Sequence, residues 1–351
     1  MIRVLVVEDS PVVQEFLVYI LGSDPAIQVI GTANNGEEAI EAVALKMPDV
    51  ITMDINMPKM NGLEATRRIM ETYPTPIVIV SGSVDTKEVE TTFSIMEAGA
   101  LVAVQKPKGI GHPDHEATAK EFIQTVKLMS EVKVVRRWPR YRREAPAVPA
   151  KAVIERIPTE IRIIAIGAST GGPLVLQTIL SELPKDLPAS LLIVQHMTTG
   201  FLQGMVDWIG QTSGVPIHMA VHGMDLLPGH AYIAPDGVHM GVSNGNRIVL
   251  SKDEPENGLR PSVSHLFRSV ANVYGQNAIG ILLTGMGKDG AEELKIMKEK
   301  GAVTIAQDRE SSVIYGMPKV AKELDAATYV LSSDKIASAL ISLINKRKEN
   351  G

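Results

Sequence analysis

Cysteine is absent from the sequence, which excludes disulfide bonds, zinc sites built on thiolates and a cysteine nucleophile. Aromatic residues make up only 4% of the 351 residues, so aliphatic side chains and methionine must fill the apolar cores. No apolar run approaches the ~18 residues that a membrane-spanning helix needs. The net charge of −5 argues against nucleic acid or anionic lipid as a partner of the whole protein.

The start of the chain lacks the features of a secretory signal peptide. Met1, Ile2 and Arg3 lead directly into an apolar strand, which ends at the acidic pair Glu8 and Asp9. A signal peptide would stay apolar for longer and end at a small-residue cleavage site. The sequence therefore predicts a cytoplasmic protein with no direct insertion into a membrane.

Short apolar runs alternate with helical patterns over residues 1–126. Five such βα units in a row predict an α/β domain with a parallel sheet and helices on both of its faces. The strands are predicted at residues 4–7, 29–32, 50–53, 77–80 and 101–104, and the helices at 11–21, 36–44, 62–72, 86–98 and 116–131.

The next segment, residues 127–158, has a different composition. Between residues 132 and 156 there are eight basic and two acidic residues, and three prolines interrupt any regular periodicity. This composition is typical of an extended linker. The linker is either a solvated tether or a basic surface for an acidic partner or for the acidic pocket of the first domain. The second interpretation rests on four arginines, Arg137, Arg140, Arg142 and Arg143.

A second alternation over residues 159–347 predicts a doubly wound α/β domain with a mainly parallel sheet. Sheets of this kind bind ligands at the carboxyl ends of their strands, so polar residues at those ends are the candidate site residues. The strands are predicted at 161–166, 191–195, 278–283 and 302–306, with a shorter β-rich region at 230–250, and the helices at 172–181, 262–273, 289–300 and 334–346.

Polar residues follow four strands of the first domain. Glu8 and Asp9 follow the first strand, Asp54 the third, Ser81 the fourth and Lys106 the fifth. Because the carboxyl ends of parallel strands meet at one edge, the three carboxylates should cluster there. Their burial and mutual repulsion would raise their pKa values, and a divalent cation relieves that repulsion. Mg²⁺ prefers oxygen ligands, so the sequence predicts a Mg²⁺ site.

Phosphoryl transfer is the chemistry that this cluster favours. Asp54 is a candidate carboxylate nucleophile towards a phosphoryl group. Lys106 and Mg²⁺ would neutralise charge on the phosphoryl oxygens, and the Ser81 hydroxyl would donate a hydrogen bond to the new phosphate. Any single acidic residue is explained better by a solvated loop end or a helix cap, but the complete set in this order favours the functional interpretation.

This layout resembles the response-regulator receiver domain over residues 2–126. The resemblance implies a flavodoxin-like (βα)5 fold and phosphorylation of Asp54 by a CheA-type histidine kinase. It also implies a cis peptide bond between Lys106 and Pro107. The residues that carry it are Glu8-Asp9, the MDINMP run at 53–58 followed by Asn61-Gly62, Ser81 and Lys106-Pro107, and the implied metal site is formed by Glu8, Asp9, Asp54 and Asn56.

One position departs from the receiver pattern. Receivers usually carry an aromatic rotamer switch three residues before the lysine, where this sequence has Ala103. Coupling through an aromatic flip is therefore not expected, whereas phosphorylation of Asp54 is unaffected by the difference.

A glycine-rich run, GASTGG at residues 167–172, follows a predicted strand and precedes a predicted helix. In that context the serine of a G-x-S-x-G run is exposed as a nucleophile, which makes Ser169 the candidate. A nucleotide-phosphate loop is the competing interpretation. The run lacks the Lys-Ser/Thr ending of a P-loop, and its glycines do not follow the G-x-G-x-x-G spacing.

Two further strand ends supply possible partners for Ser169. His196 directly follows the strand at 191–195, and Asp289 lies in the glycine-rich loop after the strand at 278–283. At one sheet edge, His196 would take the proton of Ser169 and Asp289 would hold the imidazole in one tautomer. Backbone N–H groups near Met286 would face an oxyanion. The order Ser, His, Asp differs from that of α/β-hydrolases and indicates a distinct family.

Other histidines compete with His196 for the role of base. His265 is the strongest alternative because it lies at the start of a predicted helix, whereas a structural role suits His218 in its strand-like run. The complete set of alternatives is His218, His222, His230, His239 and His265.

The second domain resembles the CheB family of chemotaxis methylesterases over residues 161–346. The resemblance departs at Thr198 and Thr199, where the family usually has prolines, and at His265, where an acidic residue is common. These positions bear on substrate approach rather than on the chemistry. The runs that carry the resemblance are IGASTGG at 166–172, QHM at 195–197, YIAP at 232–235, RPSV at 260–263, LTGMGKDGA at 283–291, TIAQD at 304–308 and YGMP at 315–318.

The resemblance implies a serine hydrolase that acts on methyl-accepting chemoreceptors. It would hydrolyse their glutamyl methyl esters with release of methanol and deamidate certain glutamines, without a cofactor in this domain. The fused receiver implies activation by phosphorylation, with the unphosphorylated receiver covering the Ser169 cleft. The implied triad is Ser169, His196 and Asp289, with Met286 and Thr170 in the oxyanion and substrate loop.

Two other classes of protein fit the sequence less well. A phosphorylation-dependent scaffold protein with a vestigial esterase domain is disfavoured by the complete set of Ser169, His196 and Asp289. A DNA-binding response regulator is disfavoured because basic residues cluster only in the linker and no compact helix-turn-helix follows it. Labelling of Ser169 by a serine-reactive phosphonate would separate the enzyme from the scaffold.

Overall fold

The computed structural model describes residues 1–82, 86–134 and 160–345. The chain divides into two compact units, Met1–Pro149 and Ala150–Gly351. The four arginines of the basic linker lie outside the described residues, so the two interpretations of the linker stay predictions.

The first unit is a five-stranded parallel sheet with the strand order β2-β1-β3-β4-β5. The predicted α/β alternation is confirmed. The strands are β1 Ile2–Val7, β2 Ile27–Ala33, β3 Val50–Met53, β4 Ile77–Ser81 and β5 Val102–Gln105, and the helices are α1 Pro11–Gly22, α2 Gly36–Lys46, α3 Gly62–Thr72, α4 Thr86–Ala98 and α5 His115–Ser130.

The central strands of this sheet are mainly apolar. Every residue of β3 and β4 is buried, and so are the last four residues of β1. Strands covered by helices on both faces lose the alternation of apolar and polar residues, which explains why Val and Ile predominate here. The polar residues therefore fall just after the strands, at one edge of the sheet.

Two asparagines start the helices that follow β2 and β3. Asn35 caps α2, accepting hydrogen bonds from the N–H groups of Glu37 and Glu38, and Asn61 caps α3, accepting one from Glu64. Side-chain acceptors at this position satisfy N–H groups that have no partner within the helix. The cap at Asn61 fixes the end of the loop that begins at the carboxyl end of β3.

The second unit is built on a seven-stranded sheet with the order β14-β13-β12-β6-β7-β9-β8, and all of its pairings are parallel. A separate antiparallel hairpin pairs β10 with β11. The strands are β6 Ile163–Ala168, β7 Ser190–Gln195, β8 Ile217–Met219, β9 Ala231–Ile233, β10 His239–Val242, β11 Ile248–Ser251, β12 Ala278–Leu282, β13 Val303–Gln307 and β14 Tyr329–Leu331.

Helices cover this sheet, and the four predicted ones correspond to α6, α8, α9 and α11. Two shorter helices, α7 and α10, and the edge strands β8 and β14 were not predicted. The helices are α6 Gly172–Glu182, α7 Leu202–Gly210, α8 Val263–Tyr274, α9 Ala291–Glu299, α10 Met317–Glu323 and α11 Ser333–Asn345. Helix α8 packs against β6 and against β10 of the hairpin. Among the described residues, no helix combines the length and the apolar character needed to cross a membrane.

The topology of the second sheet places three strand ends side by side. Strand β6 lies between β12 and β7, with Leu282 opposite Gly167 and Ala168 opposite Gln195. The loops that leave β6, β7 and β12 therefore start from adjacent points on the same edge.

One expectation about the backbone was wrong. Among the described residues the cis peptide bond is Arg260–Pro261, so the Lys106–Pro107 bond is trans. The trans isomer is the more stable one for an X–Pro bond in the absence of other constraints.

We expect Gly62→Ala to destabilise the first unit by about 1–3 kcal/mol, because an added Cβ would collide with the carbonyl oxygen of Asp54. Urea unfolding of the full-length chain measures the change. Gly22→Ala is the control, since nothing lies within 4 Å of a Cβ at that position. Equal stabilities of the two variants would contradict this packing.

Candidate functional site

An acidic cluster lies at the carboxyl edge of the first sheet. Carboxylate oxygens of Glu8, Asp9 and Asp54 all lie within 4.8 Å of one another. Glu8 follows β1 and Asp54 follows β3, and these strands are neighbours with Val7 opposite Met53. Glu8 and Asp54 are buried, whereas Asp9 is exposed. The strand ends thus bring together the three carboxylates that the sequence singled out.

Lys106 lies between two of these carboxylates. Its Nζ is 2.8 Å from Oε2 of Glu8 and 2.9 Å from Oδ1 of Asp54. Burial raises the pKa of both carboxyl groups, and the opposing effect of Lys106 is smaller. Burial also lowers the pKa of Lys106, but its contacts with the two carboxylates outweigh this and the net shift is upward. One ammonium group therefore does not compensate the cluster fully.

The donor set at this edge fits a hard divalent cation. Oε2 of Glu8 is buried and makes no hydrogen bond of acceptable geometry, although Lys106 is close to it. A buried carboxylate oxygen without a hydrogen bond is an available ligand, and oxygen-only donor sets favour Mg²⁺. Asn56 is exposed, and its backbone N–H donates to Oδ2 of Asp54 over 3.1 Å. A role of Asn56 as a metal ligand stays a prediction.

Ser81 ends β4 and is buried. Its Oγ donates a hydrogen bond of 2.5 Å to Oε1 of Glu88 in α4. Ala103 lies opposite Ile79 in the β4–β5 pairing. A hydrogen bond from Ser81 to a phosphate would therefore require this hydroxyl to turn away from Glu88.

Ser169 and His196 leave neighbouring strands of the second sheet. His196 donates its backbone N–H to the carbonyl oxygen of Ala168 over 2.9 Å, which extends the β6–β7 ladder by one step. Ser169 instead donates its backbone N–H to Thr284, which lies on the β12 side, over 3.0 Å. Ser169 is partly buried, and the His196 side chain is only 11% exposed.

Asp289 is a buried carboxylate held at the start of α8. Its oxygens accept hydrogen bonds from Ser262 Oγ at 2.9 Å, from the Val263 N–H at 2.7 Å and from the Ser264 N–H at 3.2 Å. These donors include N–H groups that have no partner within the helix, and the helix dipole favours a negative charge there. Oδ2 of Asp289 lies 3.1 Å from Nε2 of His196.

The pKa of Asp289 is lowered to about 2. Burial alone would raise the pKa, but the contact with His196 and the hydrogen bonds from Ser264 and Val263 reverse the effect. Asp289 is therefore ionised at neutral pH, and its charge is directed at the His196 ring. The N–H direction at Nε2 does not meet the angle of a hydrogen bond, so the two groups are in close contact without an aligned bond.

The ring orientation of His196 determines which nitrogen remains for Ser169. Because Nε2 contacts Asp289, Nδ1 is the nitrogen available to a proton donor. Within the described residues no side-chain hydrogen bond joins Ser169 to His196. Hydrogen bonds between catalytic groups are often long without substrate and shorten in the complex, so this gap is compatible with a nucleophile and its base.

The glycine-rich loop at residues 283–291, which contains Met286, borders Ser169. A Cβ at Gly285 would lie only 2.6 Å from the Cβ of Ser169, so glycine permits this close approach. Met286 itself is 51% exposed. The carbonyl oxygen of Thr170 accepts a hydrogen bond of 2.9 Å from Oγ1 of Thr284, which ties the serine turn to this loop. Thr170 and Met286 therefore lie on two turns that contact each other beside Ser169.

The alternative histidines are engaged elsewhere. His239 is buried, with Nδ1 accepting from the Ser262 N–H and Nε2 donating to the Glu254 carbonyl oxygen. His265 stacks on His239 at 4.7 Å between ring centroids and contacts Glu256. The other three are His218 and His230, which contact each other at 2.8 Å, and His222, which accepts from the backbone of Leu250.

The sequence interpretation missed the residues that hold the site together. Ser262 and Ser264 stand in or beside the RPSV run, and Thr284 lies in the LTGMGKDGA run, so both motifs drew attention to them. Nothing in the motifs says that they contact Asp289 or Thr170. Those contacts join segments more than 20 residues apart and appear only in the folded chain.

We expect Ser262→Ala to destabilise the chain more at pH 6 than at pH 3. The lowered pKa of Asp289 gives stability that is present above about pH 4 and is lost as pH falls towards 2. Removal of a donor to this carboxylate should cost about 1.5–3 kcal/mol at pH 6, measured by urea unfolding.

Ser269→Ala is the matched control for this prediction. Its hydroxyl lies on the same helix but bonds the backbone of Val242 rather than a carboxylate, so its cost should not depend on pH. A cost of Ser262→Ala that is equal at both pH values would contradict the described role of Asp289.

Each of the two units matches a known protein family. Residues 164–340 match the model of the family described as CheB methylesterase, and residues 4–112 match that of the response regulator receiver domain. A protein-glutamate methylesterase/protein-glutamine glutaminase of Nitrosospira multiformis is 61% identical over 350 residues, which are 99% of each chain. One from Geobacter metallireducens is 58% identical over 346 residues, which are 98% of this chain and 99% of that protein.

A solved structure supports the assignment of the second unit. The crystal structure of the Thermotoga maritima CheB methylesterase catalytic domain aligns with a TM-score of 0.51 and 39% sequence identity. The alignment covers 52% of this chain and 98% of that domain. The chain therefore belongs to the CheB methylesterase family and carries a response regulator receiver domain ahead of its methylesterase domain.

Proposed function

We propose that this chain is a phosphorylation-activated protein-glutamate methylesterase of chemotaxis-type signalling. Its substrates are glutamyl methyl esters of chemoreceptors, and it also deamidates receptor glutamines. The observation that carries the proposal is the ionised Asp289 at 3.1 Å from His196, on the sheet edge from which Ser169 also leaves. The printed names of relatives that match nearly the whole chain support the substrate class.

The reaction begins at Ser169. Its Oγ attacks the γ-carbonyl carbon of the methyl ester while Nδ1 of His196 takes the hydroxyl proton. The bond from carbon to the methoxy oxygen then breaks, and His196 returns the proton so that methanol leaves. Water hydrolyses the acyl-enzyme with His196 again as the base, and glutamate and free Ser169 result. A glutamine substrate follows the same steps with ammonia as the leaving group.

Asp289 stabilises the imidazolium form of His196 in both steps. Its carboxylate is already ionised and fixed by the start of α8, so it needs no rearrangement as charge develops on the ring. The reaction as written uses only protein groups and water, and no cofactor in this domain.

Backbone N–H groups beside Ser169 stabilise the oxyanion. Within the described residues the N–H groups of Thr170 and Met286 make no backbone hydrogen bond. Free N–H groups that face a developing negative charge lower the barrier, by roughly 3 kcal/mol for each donor in other hydrolases. The exposed Met286 side chain would contact the substrate helix.

We expect Ser169→Ala to lower methanol release from methylated chemoreceptor by about a thousandfold or more, since the nucleophile is lost. Methanol release and covalent labelling by a serine-reactive phosphonate are both measured. The control is Ser181→Ala, which removes an exposed hydroxyl at the end of α6. Undiminished methanol release from Ser169→Ala would refute the mechanism, and unlabelled wild-type protein would favour the scaffold.

The receiver domain accepts the phosphoryl group on Asp54. An Asp54 carboxylate oxygen bonds to phosphorus as the phosphorus–nitrogen bond of a phosphohistidine in a CheA-type kinase breaks. Glu8, Asp9 and Asp54, with Asn56, would hold Mg²⁺, which supplies positive charge for the phosphoryl oxygens. Lys106 already contacts Asp54 and offers its ammonium group to the same oxygens. Ser81 exchanges Glu88 for a phosphoryl oxygen.

We expect a small phosphodonor with Mg²⁺ to stimulate methanol release by the wild-type chain, and Asp54→Asn to remove this stimulation. The physical reason is that the amide is not a nucleophile towards phosphorus. The ratio of rates with and without phosphodonor is the measurement. Asp49→Asn serves as the control, since Asp49 is an exposed residue outside the cluster that accepts from the Arg3 backbone. Full stimulation of Asp54→Asn would contradict the assignment.

The cytoplasmic location stays a prediction from the sequence.

A further inference from the structure

The side-chain amide of Gln195 links the two turns of the hydrolase site. Gln195 ends β7 and is only 3% exposed. Its Nε2 donates one hydrogen bond of 2.8 Å to the carbonyl oxygen of Ser169 and another of 2.7 Å to that of His196. Two protons of one NH₂ group therefore reach the main chains of the two residues.

The chemistry of the partners fixes the orientation of this amide. Both partners are carbonyl oxygens, which only accept hydrogen bonds, so Nε2 and not Oε1 must face them. Oε1 points the other way, is buried and has no hydrogen-bond partner. A buried acceptor left unsatisfied is costly, which indicates that the donor side of the amide determines its position.

Gly172 provides the space that the amide occupies. A Cβ at this position would collide with Oε1 of Gln195. Gly172 is the last glycine of the GASTGG run and the first residue of α6. The close approach of Gln195 thus gives this glycine a role that the backbone turn does not explain.

The amide acts where the backbone ladder ends. Strands β6 and β7 pair up to Ala168 and Gln195, and the His196 N–H makes the next bond to Ala168. At Ser169 the backbone N–H turns to Thr284 on the other side. The two main chains diverge from this point, and the two hydrogen bonds of the Gln195 amide connect them.

We propose that Gln195 is a positioning residue, which sets the separation of the Ser169 hydroxyl from the His196 ring. The proposal rests on the hydrolase function proposed above. A displacement of about 1 Å between reacting groups can cost about a hundredfold in rate, so a link between their backbones bears on the rate of the chemical step. Gln195 contacts only main-chain atoms of the two residues, so substrate binding should be little affected.

The test uses the full-length chain with phosphodonor and Mg²⁺, and three variants: Gln195→Met, Gly172→Ala and the double variant. For each, kcat and KM of methanol release, the rate of phosphonate labelling at Ser169 and the melting temperature are measured. The control is Thr304→Val, which removes the buried hydrogen bond from Thr304 to the carbonyl oxygen of Ala326. Thr304 lies in β13, away from the carboxyl end of that strand.

Gln195→Met should lower kcat and the labelling rate by about tenfold or more, with KM within about twofold of wild type. Thr304→Val should leave both rates near wild type at a similar melting temperature. A Cβ at Gly172 would collide with the Gln195 amide and would also lie 2.8 Å from the Cβ of Ala168. Because the two substitutions share the amide, their combined effect on the rate should be smaller than the product of the two single effects. The coupling tests the proposal even if one variant is poorly stable.

Three results would overturn the role of Gln195: rates like those of Thr304→Val, a loss confined to KM, or additive effects of the two substitutions. Failure of the proposed function gives a different pattern. Wild-type chain would then be labelled at Ser169 without releasing methanol, and the labelling rates of the variants would still decide the role of Gln195.

Discussion

The proposed hydrolase site depends on one buried charge, the carboxylate of Asp289. A carboxylate removed from water is costly unless hydrogen bonds and an opposite charge replace the lost hydration. Ser262, Val263 and Ser264 supply the hydrogen bonds from the start of α8, and His196, the proposed base, is the group that would become positive. The position of α8 against β6 thus sets the direction of the charge that would stabilise the imidazolium form of the proposed base.

Each domain has carboxylates at the carboxyl edge of its own parallel sheet, and their pKa values shift in opposite directions. In the receiver, burial raises the pKa values of Glu8 and Asp54, and the one ammonium group of Lys106, which contacts both carboxylates, does not offset this effect. The excess negative charge favours a cation. In the methylesterase domain, the contact with His196 and the hydrogen bonds from Ser264 and Val263 lower the pKa of Asp289. Carboxylates at strand ends therefore form the proposed metal and phosphoryl site in one domain and the proposed partner of a base in the other.

Much of this arrangement was predictable because it follows from strand ends. Apolar runs fix the strands, the alternation with helices makes them parallel, and parallel strands bring residues such as Ser169 and His196 to one edge. What the sequence did not show is how side chains reach main-chain atoms of distant segments. The contacts of Ser262 and of the Gln195 amide depend on the positions of whole elements, and the ring orientation of His196 depends on where Asp289 lies. The trans Lys106–Pro107 bond differs from the family-based expectation because local sequence leaves the isomer open.

The tautomer of His196 tests the account most directly, because it reports which ring nitrogen faces the carboxylate. We would record nitrogen NMR spectra of full-length protein with ¹⁵N-labelled imidazole rings at neutral pH, with His196→Gln to assign the signal. The structure predicts that the ring nitrogen facing Asp289, Nε2, carries a proton, with Nδ1 left to accept the Ser169 proton. A ring protonated at Nδ1, with Nε2 as the acceptor, would contradict it.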